Sequence, residues 1–79
     1  MEKRSDNDFP NFLKQLGQNL RKERNKKEIS QEKLAEINNI DYKYYQRIET
    51  GRVNITIKTL YKLSKSLNIK PYKLLDKES

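Results

Sequence analysis

Apolar residues in this chain fall three or four positions apart and never more than two in succession. That spacing is the period of helices that bury one face each. It excludes most alternatives. No stretch alternates with the period of two that a half-buried strand requires. No run approaches the ~20 apolar residues of a membrane-spanning helix, or the shorter apolar core of a signal peptide. Two glycines and two prolines are too few for a turn-rich β architecture. The chain therefore reads as all-α, with a thin core, since 79 residues hold only 33% hydrophobic side chains.

The spacing predicts five helices within a single domain over 8–76, flanked by polar tails at 1–7 and 77–79. In the first helix Phe9, Phe12, Leu13, Leu16 and Leu20 form the inner face. Asp8 is its cap, Pro10 is tolerated in its opening turn, and it runs to about Lys27. Ser30 caps a short second helix over 31–38, in which Leu34, Ala35 and Ile37 are apolar. Asn38 and Asn39 end it, because Asn accepts left-handed backbone. Asp41 caps a third helix over 42–50, and Gly51 stops it. Thr56 caps a fourth whose inner face is Ile57, Leu60, Leu63 or Ser64, and Leu67, with Asn68 at its end. Pro71 opens a short fifth helix carrying Tyr72, Leu74 and Leu75.

Chemistry is limited by what is missing. The sequence has no Cys and no His, so it offers no disulfide or thiolate site and lacks the commonest acid–base group. There is no glycine-rich phosphate loop and no carboxylate cluster at metal spacing. An enzyme, a metal site, a cofactor or a small-molecule ligand is not expected. Charge points instead to an anionic partner: eighteen basic residues against eleven acidic give +7. The excess is uneven. Residues 1–30 net +3, residues 31–51 net −1, and residues 52–79 net +5. The basic excess flanks the central helix pair.

That pair, over 30–51, has the form of a helix-turn-helix: two short helices joined by a turn of three or four residues. At about 100° per residue, Tyr45 and Ile48 of the second helix point inward. Lys43, Gln46, Arg47 and Thr50 point outward, with Tyr42 and Tyr44 on the flanks. Lys, Gln and Arg can reach base edges in a major groove. A polar helix face taken alone is more often merely solvated. Here the preceding short helix, the Asn turn and the Gly51 stop favour the functional reading.

The segments Leu20-Arg21-x-x-Arg24, Ser30-Gln31-Glu32-x-Leu34-Ala35, Tyr45-x-x-Ile48-Glu49-x-Gly51 and Leu60-x-x-Leu63-x-x-x-Leu67 resemble the Cro/repressor-type helix-turn-helix (XRE) family. The match covers residues 12–75. Within that family the loop over 52–57 and the small size look like restriction–modification controller proteins, and also like stand-alone phage or plasmid repressors. The resemblance implies a five-helix, lambda-repressor-like DNA-binding domain. It implies base contacts at Tyr42, Lys43 and Arg47, with Gln46 and Tyr44 as lesser candidates. Phosphate contacts would come from Gln31, Arg52 and Asn54, with Lys58 just beyond. It pairs Arg24 with Glu49 as an internal ion pair. It also implies a homodimer on a near-palindromic operator, working in the cytoplasm on the nucleoid, with no membrane partner. Ile69, Tyr72 and Leu75, with Leu67 nearby, are the apolar residues left over for the dimer face. Closing the bottom of the core is their alternative role.

Three positions depart from the family pattern. Asn38 stands where a small apolar residue is usual, Asn39 where Gly is usual, and Tyr45 where Ile or Val is usual. A ring at Tyr45 requires a rearranged core or partial exposure. An antitoxin or other protein-interaction module on the same fold stays open as a second function. It should show apolar anchors on the outward face of the third helix.

Overall fold

The computed structural model describes residues 8–76, and the tails assigned to 1–7 and 77–79 lie outside them. Helix α1 spans Asp8–Lys26, α2 Gln31–Ile37, α3 Tyr42–Glu49, α4 Ile57–Ser66 and α5 Tyr72–Leu75. Three of the anticipated caps close their helices. Ser30 Oγ accepts from the Lys33 amide at 3.0 Å. Asp41 Oδ2 accepts from Tyr44 at 3.1 Å, and Thr56 Oγ1 from Thr59 at 3.1 Å. Asp8 lies in the first described turn of α1, where its charge suits the helix dipole. Pro71, expected to open α5, is its N-cap.

The first four helices end in the same way. Glu28, Asn39, Gly51 and Asn68 adopt positive φ of 55°, 56°, 74° and 57°. The amide after each reaches back five residues: Ile29 to Arg24, Ile40 to Ala35, Arg52 to Arg47, and Ile69 to Ser64. These are Schellman closures, which satisfy helix carbonyls and turn the chain sharply. In three of them the residue after the turn is Ile29, Ile40 or Ile69, each packed against the core. Apolar contact therefore fixes the exit direction of those helices.

The core consists of Leu16 and Leu20 from α1, Leu34 and Ala35 from α2, and Tyr45 and Ile48 from α3. Leu60, Leu63 and Leu67 from the α4 region and Leu74 from α5 complete it. Each buried leucine contributes about 1.5–3 kcal/mol. Helix α1 lies against α3 and α5, and α2 against α3 and α4. The buried Asn19 side chain anchors α5, its Nδ2 donating to the Leu74 and Asp76 carbonyls at 3.0 and 2.7 Å.

Several expected faces are corrected. Phe9, Phe12, Ile37 and Ile57 carry the right periodicity, but no helix among the described residues buries them and they are exposed. Leu67 is the reverse: it is fully buried in the core and is not available to a dimer face. Tyr45 points inward as expected and is fully buried, so of its two alternatives the core accommodates the ring. Asn38 is buried yet satisfied, its Nδ2 donating to the Leu34 carbonyl and its Oδ1 accepting from Ser66 Oγ at 2.9 Å. A polar link from α2 to α4 thus occupies the usual apolar position.

Candidate nucleic-acid interface

The amphipathic sequence of α3 sends Tyr45 and Ile48 into the core, which leaves Tyr42, Lys43, Gln46 and Arg47 exposed. Tyr44 is half-buried and packs on the core, so its ring serves structure first. Lys43, Gln46, Arg47, Thr50 and Arg52 line one open concavity of about 410 Å³. Its lining carries three cations and no carboxylate. The Thr50 hydroxyl is turned back on its own helix, donating toward the Gln46 and Arg47 carbonyls at 3.1 and 3.2 Å. The donors free to reach outward are therefore Lys43, Gln46, Arg47 and Arg52.

The candidate phosphate contacts are not all gathered there. Arg52 joins the concavity, whereas Gln31, Asn54 and Lys58 do not line it. Gln31 begins α2, and its Nε2 donates to Glu49 Oε1 at 2.9 Å. Asn54 borders a separate apolar groove of about 140 Å³, with Phe9, Phe12, Ile55, Ile57 and Leu75. Lys58 is exposed in the first turn of α4.

Beneath the surface, Glu49 gathers the elements together. Arg24 Nε donates to its Oε2 at 2.7 Å, and Arg24 Nη2 to Oε1 at 3.3 Å. Tyr45, Gln31 and Arg21 donate to it as well. Burial alone would push the carboxyl up in pKa. The hydrogen bonds from Arg24, Tyr45 and Gln31 outweigh burial and hold it below the usual carboxylate range. Sequence reasoning missed Arg21, Gln31 and the Tyr45 hydroxyl in this network. Four-residue spacing between Tyr45 and Glu49 on one helix was a signal available for the hydroxyl.

The apolar residues proposed as left over fall into two places. Ile69 and Tyr72 share a shallow depression with Asn68, Lys70 and Lys73. Leu75 belongs to the groove beside Phe9 and Phe12. No helix among the described residues is long and apolar enough to cross a membrane.

A helix-turn-helix family model matches residues 20–74. The control protein C.SmaI of Serratia marcescens is 37% identical over 70 residues, which span 89% of this chain and 83% of that protein. The crystal structure of the restriction-modification controller protein C.AhdI from Aeromonas hydrophila is similar with a TM-score of 0.76 and 37% identity, covering 78% of this chain and 94% of that one. A hypothetical transcription factor, NHTF from Neisseria, superposes with a TM-score of 0.80 at 29% identity, covering 96% and 87%. The chain belongs to the helix-turn-helix family of DNA-binding transcription regulators.

Proposed function

We propose that this chain regulates the genes of a restriction–modification system by binding a near-palindromic operator as a homodimer in the cytoplasm. The observation that carries the reading is the concavity on the outward side of α3, where Lys43, Gln46 and Arg47 of the helix and Arg52 of the following loop meet with no carboxylate. Arg47 and Lys43 suit guanine, and Gln46 suits adenine. Tyr42, exposed at the start of α3, would meet a thymine methyl or a phosphate. Arg52, Gln31, Asn54 and Lys58 contact the backbone and set register. The likeness to two control proteins extends the reading from DNA binding to restriction–modification control. A protein-interaction module would need apolar anchors on this face, and only the half-exposed ring of Tyr42 comes near to one.

Base readout by one short helix is limited, so pairing two copies is the economical route to specificity. Ile69, Tyr72 and Leu75 remain the candidate dimer face, without Leu67. Two recognition helices about 34 Å apart would meet successive turns of one groove. Selection from random duplex DNA tests the whole reading. A near-palindrome with half-sites one helical turn apart is expected, bound by two chains in sedimentation. Recovery of no preferred sequence, or a monomer on the selected site, would overturn it.

A further inference from the structure

Helix α1 crosses the C-terminal end of α3 main chain against main chain. A Cβ on Gly17 would overlap the Glu49 carbonyl group, and a Cβ on Gly51 would stand 2.7 Å from Lys14 Cα. So close a crossing fixes the outward side chains of α1 relative to the recognition helix. Lys14, Gln18 and Arg21 succeed one another at spacings of four and three, which sets them on one ridge of α1. Together with Glu49 and Thr50 they line a cleft of about 260 Å³. Thr50 also lines the concavity that holds Lys43, Gln46 and Arg47. The α1 ridge and the base-facing surface therefore share a wall.

The cleft sets two cations and an amide beside one carboxylate that is already engaged from within. Arg21 Nε donates to Glu49 Oε1 at 3.3 Å, while the side chain stays 56% exposed. Its Nη groups make no hydrogen bond to other described residues. Glu49 is itself fixed by Arg24, Gln31 and Tyr45. The guanidinium is thus held from behind, and less of its freedom is lost on binding. Lys14 has no ion pair among the described residues. Among the lining residues, Lys14 and Arg21 stand against Glu49 alone, so the cleft nets one positive charge.

We infer that Lys14, Gln18 and Arg21 form a phosphate clamp on α1, gripping the DNA backbone beside the groove that α3 enters. The inference rests on the DNA-binding reading above and adds α1 to the interface. The clamp sets affinity and register and reads no base.

Salt titrations of duplex binding by fluorescence anisotropy test it, on a selected site and on a scrambled one. Variants are Lys14→Gln, Arg21→Gln and the pair, with Lys62→Gln on α4 as the control. Each clamp substitution should make the log-affinity against log-salt slope shallower by about one unit per bound subunit. Both duplexes should weaken by the same factor, and Lys62→Gln should keep the wild-type slope. Arg21→Gln also removes a bond to Glu49, so melts of the free protein accompany it. Lys14 has no such partner and carries the test if Arg21→Gln melts early. Wild-type slopes for Lys14→Gln and the pair would overturn the clamp and leave the DNA reading intact. So would a changed ratio between the two duplexes, which would mark base readers. Failure of the wild type to bind any duplex would overturn the DNA reading and the clamp with it.

Discussion

The Tyr45 hydroxyl donates to Glu49 Oε2 at 2.5 Å, closing a bond between successive turns of the recognition helix. It accounts for a tyrosine in a position where the family prefers a small branched residue. The ring fills the core, and its one polar atom meets a carboxylate that is already held by Arg24. Burial first, and then the bond to Glu49, push the phenol well above its ordinary pKa. Tyr45→Phe should cost about 1.5–3 kcal/mol near neutral pH, the range for a buried hydrogen bond to a charged group. A raised folded pKa contributes stability that is complete below the unfolded value near 10 and is lost as pH rises beyond it. Wild-type stability should therefore fall between about pH 10 and 11.5 more steeply than that of Tyr45→Phe. Denaturant melts of both proteins across that window check the sign. Parallel curves would show that the hydroxyl is not linked to folding.

Arg24 and Glu49 should answer alike to mutation. Both are buried, and Arg24 also donates to the Ile29 carbonyl at 2.8 Å, where the chain leaves α1. Removing either strands the other, so Arg24→Ala and Glu49→Ala should each cost on the order of 3 kcal/mol. The double variant should cost less than the sum. Glu49, with its depressed folded pKa, contributes stability present above the unfolded value near 4.3 and lost as pH falls through the folded one. Acid melts of wild type should decline more steeply below pH 4 than those of Glu49→Gln. Single variants that unfold at the wild-type midpoint would dismiss the pair.

Arg47 and Arg52 share one concavity but should fail in different ways. Arg47→Ala should lose roughly 1–3 kcal/mol on the selected site and relax preference at one position in each half-site. Arg52→Ala should weaken selected and scrambled duplex alike and flatten the salt slope by about one unit per half-site. Binding isotherms on a panel of single-base variants separate the two. If Arg52→Ala altered preference while Arg47→Ala lowered all affinities equally, the assignment would be reversed.

The helices were legible because their apolar spacing, their Ser, Asp and Thr caps, and the Asn39, Gly51 and Asn68 stops are local signals. Glu28 was not legible. Nothing in its side chain favours left-handed backbone, and the turn is held by the Schellman bonds and by Ile29 on the core. Phe9, Phe12 and Ile57 carry helical periodicity, but whether a face is covered depends on a neighbour that no spacing announces. Leu67 was legible as an inner-face residue at the end of α4, seven positions after Leu60, and its burial removes it only from the dimer face. At the site, the outward residues of α3 follow from its period alone. The Arg24–Glu49 pairing entered through family resemblance. Arg21 and Gln31 join Glu49 from two other helices, which only the tertiary packing brings together.

Gly17 makes the sharpest test of that packing. In the interior of a long helix, glycine costs about 0.8–1.0 kcal/mol relative to alanine, so Gly17→Ala ought to stabilise α1. The structure reverses the sign. A Cβ at Gly17 would collide with the Glu49 carbonyl group and approach the Ile48 oxygen at 2.7 Å. Those atoms are main chain at the end of α3 and cannot swing aside as a flexible side chain would. Relief requires α1 and α3 to separate, which would loosen Leu16, Leu20 and Ile48 and stretch the bonds from Arg24 to Glu49. Overpacking of this kind costs about 1–3 kcal/mol, enough to outweigh the helix gain. Gly17→Ala should therefore unfold at lower denaturant than wild type. It should also bind the selected duplex more weakly, because the same shift moves α3 relative to the Lys14–Arg21 ridge. Gln18→Ala, at an exposed site one residue along, supplies the comparison and should leave the midpoint within about 0.5 kcal/mol. A Gly17→Ala protein as stable as wild type would mean that the two backbones do not approach so closely, and the fixed geometry argued for the clamp would fall with it.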